Sequence, residues 1–184
     1  NLLHMKFATR LIHAGMEPDP ATGAIIPPIY QTSTFVQAAP GNHKGYEYAR
    51  SQNPTRTALE KALASIENAR HALSFSSGVA ASDAVIRLLV PGDEVIAAND
   101  MYGGTFRLFS KIFEKAGIQV HYVNMQNPEN MRPFISSKTK MIWTETPTNP
   151  LMNIVDLAAV AAIAKEKKLL FCVDNTFASP CLQN

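Results

Sequence analysis

The sequence predicts an α/β protein with a mainly parallel sheet and helices on both of its faces. Two observations carry that expectation. From about residue 71 onward, short β-rich runs alternate with segments of helical period. Those runs are apolar, as in strands buried on both faces. A third observation marks where the alternation begins. Pro18, Pro20, Pro27, Pro28, Pro40 and Pro54 crowd the start of the chain, with Gly15, Gly23, Gly41 and Gly45 among them, so residues 6–52 are not mostly helix or central strand.

Residues 6–52 therefore read as an extended arm with turns. An arm of that length needs a surface to pack on, either its own core or a neighbouring subunit. Residues 1–4 have no apolar signal-peptide core, and Met5-Lys6 reads as a native start behind a short remnant. The expected division is thus an arm over 1–52 and a second region over 53–184. Asn53 suits a helix N-cap and Pro54 the first helical position. Ala58, Leu59, Ala62, Leu63 and Ile66 then form an apolar stripe at helical period. Residues 71–75 are a strand candidate, followed by a helix over about 79–89 that Pro91-Gly92 stops. A strand over 94–98 and a helix over 105–116, ended by Gly117, come next. Further strands are expected over 120–123, 141–144 and 169–173, with a short helix near 128–134. Asp156 caps a helix through 157–164, and Lys165, Lys167 and Lys168 sit favourably at its negative end.

Composition narrows the function. The chain has 184 residues, with 17 Lys and Arg against 15 Asp and Glu, a formal net charge of +2. That small surplus argues against a nucleic-acid or polybasic membrane surface. The hydrophobic fraction of 46% is ordinary for a globular domain, and no apolar run approaches the roughly 20 residues of a membrane span. Cys172 and Cys181 offer neither a disulfide framework nor a metal spacing, and the five histidines form no close-spaced metal motif. The expected setting is cytoplasmic.

In open α/β sheets, ligands bind at the carboxyl ends of the strands. Those ends read Ser76-Ser77-Gly78, Asn99-Asp100-Met101-Tyr102-Gly103, Glu145-Thr146-Pro147 and Asp174-Asn175-Thr176. Ser76-Ser77-Gly78-Val79 joins a strand candidate to a helix, where hydroxyls and free N–H groups make either an anion site or an ordinary cap. There is no G-x-G-x-x-G and no Walker A sequence, so a phosphate held here belongs to a smaller cofactor than a dinucleotide. Asp174 ends an apolar strand and needs a cationic or strongly donating partner. The pyridinium nitrogen of pyridoxal phosphate is one such partner, and a structural bond through Asn175 and Thr176 is the other reading. Tyr102 stands beside Gly103-Gly104, where its ring could stack on a flat cofactor or simply close the core edge. Tyr48 and Arg50 lie in the arm; arginine is a good phosphate clamp, though a lone one is commonly a solvated charge. Ser136-Ser137-Lys138-Thr139-Lys140 precedes a strand and so faces the other sheet edge.

Taken in order, these stretches resemble the cysteine and methionine metabolism family of pyridoxal-phosphate enzymes from about Phe7 to the last residue. The resemblance is carried by Pro27-Pro28-Ile29, Tyr48-Ala49-Arg50-Ser51-Gln52-Asn53-Pro54-Thr55-Arg56, Ser76-Ser77-Gly78 and Tyr102-Gly103-Gly104-Thr105. It continues through Glu145-Thr146-Pro147-Thr148-Asn149-Pro150 and Val173-Asp174-Asn175-Thr176-Phe177-Ala178-Ser179-Pro180. It implies the aspartate-aminotransferase fold (fold type I), with residues 53–184 as the first part of the cofactor-binding large domain. It also implies a homotetramer of close dimers. By the same resemblance Ser77, Gly78 and Val79 hold the cofactor phosphate, with Tyr48 and Arg50 reaching in from a neighbouring subunit. Tyr102 stacks on the ring and assists proton transfer, Asp174 pairs with the pyridine nitrogen, Asn149 approaches the ring hydroxyl, and Glu145 and Thr176 lie close by.

The implied activity is that of a cystathionine γ-lyase, with cystathionine γ-synthase, methionine γ-lyase and a non-catalytic module as alternatives. The family's cofactor-linking lysine, its serine and threonine neighbours and the small C-terminal domain are expected beyond Asn184. Glu47 and Arg107 are candidates for reading the distal amino-acid head of cystathionine. The methionine γ-lyases resemble one another in having a cysteine where this chain has Gly104, which points the same way.

Overall fold

The structure, a computed structural model, describes residues 5–184; the remnant suggested at residues 1–4 lies outside the described residues. The chain forms two compact units, one running to Ser74 and taking in Asn184, the other Phe75–Gln183.

In the first unit the arm is as poor in regular structure as its prolines require. It contains a helix α1 (Phe7–His13) that the sequence reading did not anticipate, and a small antiparallel pair β1 (Gln37–Ala39) and β2 (Asn42–His43). Helix α1 is held from outside: Arg10 donates to the carbonyl of Ser65 in helix α2 (Pro54–Ile66) and, at 2.7 Å, to Asn68 Oδ1 just beyond it. Gly15 turns the chain against α2 at φ 75°, where a Cβ would stand 2.2 Å from the Ala58 carbonyl oxygen. Only glycine fits such an approach. The start of α2 is as expected, with Asn53 Oδ1 accepting the Thr55 N–H at 2.8 Å and Pro54 in the first turn.

The second unit is built on a four-stranded parallel sheet in the order β4-β3-β5-β6. Its strands are β3 (Glu94–Ala98), β4 (Gln119–Val123), β5 (Thr139–Glu145) and β6 (Leu170–Asp174). Alternate residues of the central strands face opposite ways. Val95, Ala97, Met141 and Trp143 join Ile86, Phe109 and Phe113 in one core. Ile96, Ala98 and Ile142 join Met131, Val160 and Ile163 in the other. Each fully buried aliphatic or aromatic side chain contributes about 1.5–3 kcal/mol. The helices that cover these faces include α3 (Gly78–Ile86), α4 (Gly103–Leu108) and α5 (Leu157–Lys167); a short α6 (Ser179–Leu182) ends the unit. Asp156 caps α5 as expected, accepting the Ala159 N–H at 3.0 Å.

Two expectations need correction. Residues 71–75 are not a strand: no described strand pairs with them, and Ser74 gives its N–H to the Glu60 carboxylate at 2.9 Å instead of to a ladder. The helix expected over 105–116 begins at Gly103 and changes after Leu108 into a wider π-helical turn, Phe109–Phe113. Phe109 and Phe113 are both buried there, and Phe109 meets Trp143 edge-on with ring centroids 5.4 Å apart. Among the described residues no helix is long and apolar enough to cross a membrane, and no group of three or more His, Cys, Asp or Glu is placed to hold a metal.

Candidate active site

At the carboxyl edge of the sheet the second unit encloses a cavity of about 310 Å³, within the range of small-ligand sites. One wall is the start of α3. Ser77 is extended, and its hydroxyl accepts the Ala80 N–H at 3.1 Å while its carbonyl accepts that of Ala81. The N–H groups of Gly78 and Val79, both lining the cavity, are thereby left without a helical acceptor. A Cβ built on Gly78 would meet nothing within 4 Å, so the space beside this backbone is open. The arrangement suits an anion.

Another wall is the end of β6. Asp174 Oδ1 accepts both the backbone N–H of Thr176, at 3.1 Å, and its hydroxyl, at 2.6 Å. These bonds fix one carboxylate oxygen and leave Oδ2 without a hydrogen-bond partner among the described residues. In the neighbouring strand Glu145 stands in register with Asp174. Glu145 is buried, and its Oε2 accepts the Tyr102 N–H at 2.9 Å. Burial pushes its carboxyl above the ordinary range and the nearby Asp174 charge adds to the push, while the backbone N–H groups of Tyr102 and Asn149 oppose it.

Tyr102 opens α4 with its ring packed over Gly104, where a Cβ would lie 2.3 Å from Tyr102 Cε1. Asn149 comes from the loop after β5, between the cis peptide bonds Thr146-Pro147 and Asn149-Pro150. That loop is tied to the end of β3 through Asp100, whose carboxylate accepts from the Thr148 hydroxyl and, at 3.2 Å, from the Asn153 amide.

The cavity thus gathers Ser77, Gly78, Val79, Tyr102, Asn149, Asp174 and Thr176 from the sequence-derived candidates. Thr105, Glu145 and Phe177 also line it. The resemblance placed Glu145 close by without giving it a role, while Thr105 and Phe177 were quoted only within the motifs and given no place in the site. Arg107 is exposed on α4 and outside the lining. Tyr48, Arg50 and Glu47 belong to the first unit. There Tyr48 bridges Thr34, the Arg50 guanidinium lies 4.8 Å from the Tyr48 ring centroid, and the Glu47 carbonyl accepts the Phe35 N–H at 3.1 Å.

An anion cradle, a carboxylate and an aromatic ring around one small cavity fit a cofactor with a phosphate at one end and a basic ring nitrogen at the other. Pyridoxal phosphate has that form, and the donor set fits it. The fold agrees. The chain superposes on cystathionine gamma-lyase from Lactobacillus plantarum, solved with L-serine, with a TM-score of 0.92 and 45% identity, over 96% of this chain and 46% of that one.

Residues 8–184 match the model of the Cys/Met metabolism PLP-dependent enzymes, and the chain belongs to that family. It is 51% identical over 174 residues to a probable cystathionine gamma-synthase of Herpetosiphon aurantiacus, covering 95% of this chain and 54% of the relative. It is 49% identical over 176 residues to a cystathionine beta-lyase of Coxiella burnetii, covering 95% and 46%. The chain therefore spans about half the length of the curated relatives it matches.

Proposed function

We propose that the whole protein acts at a C–S bond of cystathionine by γ-elimination, converting cystathionine and water to cysteine, 2-oxobutanoate and ammonia. In this reading residues 1–52 form its arm and 53–184 the first part of its cofactor domain. The observation that carries the proposal is that the free N–H groups at the start of α3 and the Thr176-held carboxylate of Asp174 line one cavity. The bound cofactor supplies an electron sink for the charge left at Cα when its proton is removed.

This chain's residues have separate tasks. Gly78, Val79 and Ser77 bind the phosphate. Asp174 holds a proton on the ring nitrogen, and Thr176 orients Asp174. Asn149 donates to the ring hydroxyl. The Tyr102 ring excludes water from one side, and its phenol delivers a proton to the departing γ-thiolate. Tyr48 and Arg50 of a neighbouring subunit complete the phosphate site in a homotetramer of close dimers. Exposed Ile25, Ile26, Ile29 and Val36 on the arm support that packing. Glu47 and Arg107 meet the charged distal head of the substrate. The proposed setting is the cytoplasm, which suits the free thiols Cys172 and Cys181.

The likeness to a probable cystathionine gamma-synthase favours a second reading, γ-replacement on an activated homoserine ester with cysteine. One experiment separates them: full-length protein with pyridoxal phosphate is given cystathionine, or the ester with cysteine, or methionine. Release of 2-oxobutanoate from cystathionine as the fastest reaction is expected. Faster cystathionine synthesis would establish the second reading. Pyruvate and homocysteine would mean β-elimination, methanethiol a methionine lyase. No visible cofactor band would overturn all of these.

A further inference from the structure

Glu145 is a buried carboxylate on the cavity wall to which the proposed reaction gives no task. Its bond from the Tyr102 N–H joins residues 43 positions apart and ties the end of β5 to the loop that follows β3. That tie matters because α4 is only six residues long and has no side-chain cap of its own at Tyr102. Two contacts therefore determine how Tyr102 is held. Its backbone is anchored by Glu145, and its ring rests against Gly104, which offers no Cβ to push it away.

We propose that Glu145 is a positioning residue that sets the place of the Tyr102 ring in the cavity by holding the Tyr102 N–H. This rests on the part assigned to Tyr102 above. Of the two backbone N–H groups that face its carboxylate, those of Tyr102 and Asn149, Glu145 acts on the reaction through that of Tyr102: it hands no proton to substrate, and what it needs is an acceptor oxygen rather than a charge.

The test uses full-length protein and compares Glu145→Met, which keeps length but loses the acceptor, with Glu145→Gln, which keeps a neutral acceptor. In cofactor-free protein, amide hydrogen exchange at Tyr102 is expected to quicken about tenfold or more in Glu145→Met and to stay near wild type in Glu145→Gln. With cofactor loaded, Glu145→Met is expected to change the visible circular dichroism of the cofactor and to lower kcat about 10- to 100-fold. Glu145→Gln should restore both. In a Tyr102→Ala background, Glu145→Met should cause no further loss. Unchanged Tyr102 exchange in Glu145→Met would overturn the proposal. So would a Glu145→Gln variant as damaged as Glu145→Met, or an additional loss in the Tyr102→Ala background. Exchange quickened throughout the second unit would mark Glu145 as a fold residue instead, and overturn it equally. If wild type shows no cofactor band, the reading of the site has failed, and the cofactor-free exchange still decides Glu145.

Discussion

In the proposed reading Asp174 is prepared for a charged partner before that partner arrives. Two bonds from Thr176 to the same oxygen fix the carboxylate at the mouth of β6. Asp174→Asn keeps the shape but cannot hold a proton on a ring nitrogen by charge. In the full-length enzyme its kcat is expected to fall about 100-fold or more, with a smaller relative change in the cofactor dissociation constant because the phosphate contacts remain. Steady-state kinetics beside a cofactor titration checks this; near-normal turnover would remove Asp174 from the role. Gly104 works by what it lacks. A Cβ there would stand 2.3 Å from the Tyr102 ring, which is 45% exposed and free to move outward. Gly104→Ala should therefore leave the melting temperature nearly unchanged yet lower kcat about tenfold by displacing that ring. A variant with wild-type kcat would show that the ring position does not matter.

At the scale of elements, the two ends of the parallel sheet divide the work. The carboxyl ends of β5 and β6 bring Glu145 and Asp174 to the cavity, while the amino end of β3 carries a structural carboxylate, Glu94. Glu94 accepts the Ser136 hydroxyl at 2.8 Å and faces His121 Nε2 at 3.4 Å. The Ser136 bond foremost, with His121 and Lys138 adding, holds its carboxyl below the ordinary range although burial opposes this. A depressed carboxyl stabilises the fold above its unfolded-state value, and that contribution disappears as pH falls through the folded value. Urea unfolding between about pH 5 and 3, around the ordinary glutamate value of roughly 4.3, should show wild type losing stability faster than Glu94→Gln. Parallel losses in the two proteins would show that Glu94 carries no such linkage.

On the scale of the whole molecule, the arm presents Ile25, Ile26, Ile29 and Val36 largely to solvent. Such a surface fits the proposed subunit contact, with Tyr48 and Arg50 serving a neighbour's phosphate. If the site is shared, Arg50→Ala and Asp174→Asn full-length enzymes are each inactive, but a mixed dimer holds one intact site. After subunit exchange, verified by mass, equal mixing should restore up to about a quarter of wild-type activity in a two-fold symmetric dimer. Complete inactivity of the verified hybrids would confine each site to one subunit.

Much of this was legible in the sequence because it depends on near neighbours. Asn53 before Pro54, and Asp156 before an apolar helical stripe, set two helix starts by local capping. Apolar runs marked β3, β4, β5 and β6, and the rule that ligands gather at carboxyl strand ends led to Tyr102 and Asp174; Ser77 was reached through the strand expected over 71–75, which does not form, although it does cap α3. The failures lie where distant residues decide. A strand is a pairing, so residues 71–75, for all their β-rich composition, do not form one beside the four-stranded sheet. Helix α1 depends on Arg10 reaching Ser65 and Asn68, and the π-helical turn places Phe109 against Trp143 of another strand. The bond between Glu145 and Tyr102 belongs to the same class. Periodicity and capping are written in a few consecutive residues, whereas ladder partners, burial and the charge around a buried carboxylate arise only when segments far apart in the chain are folded together.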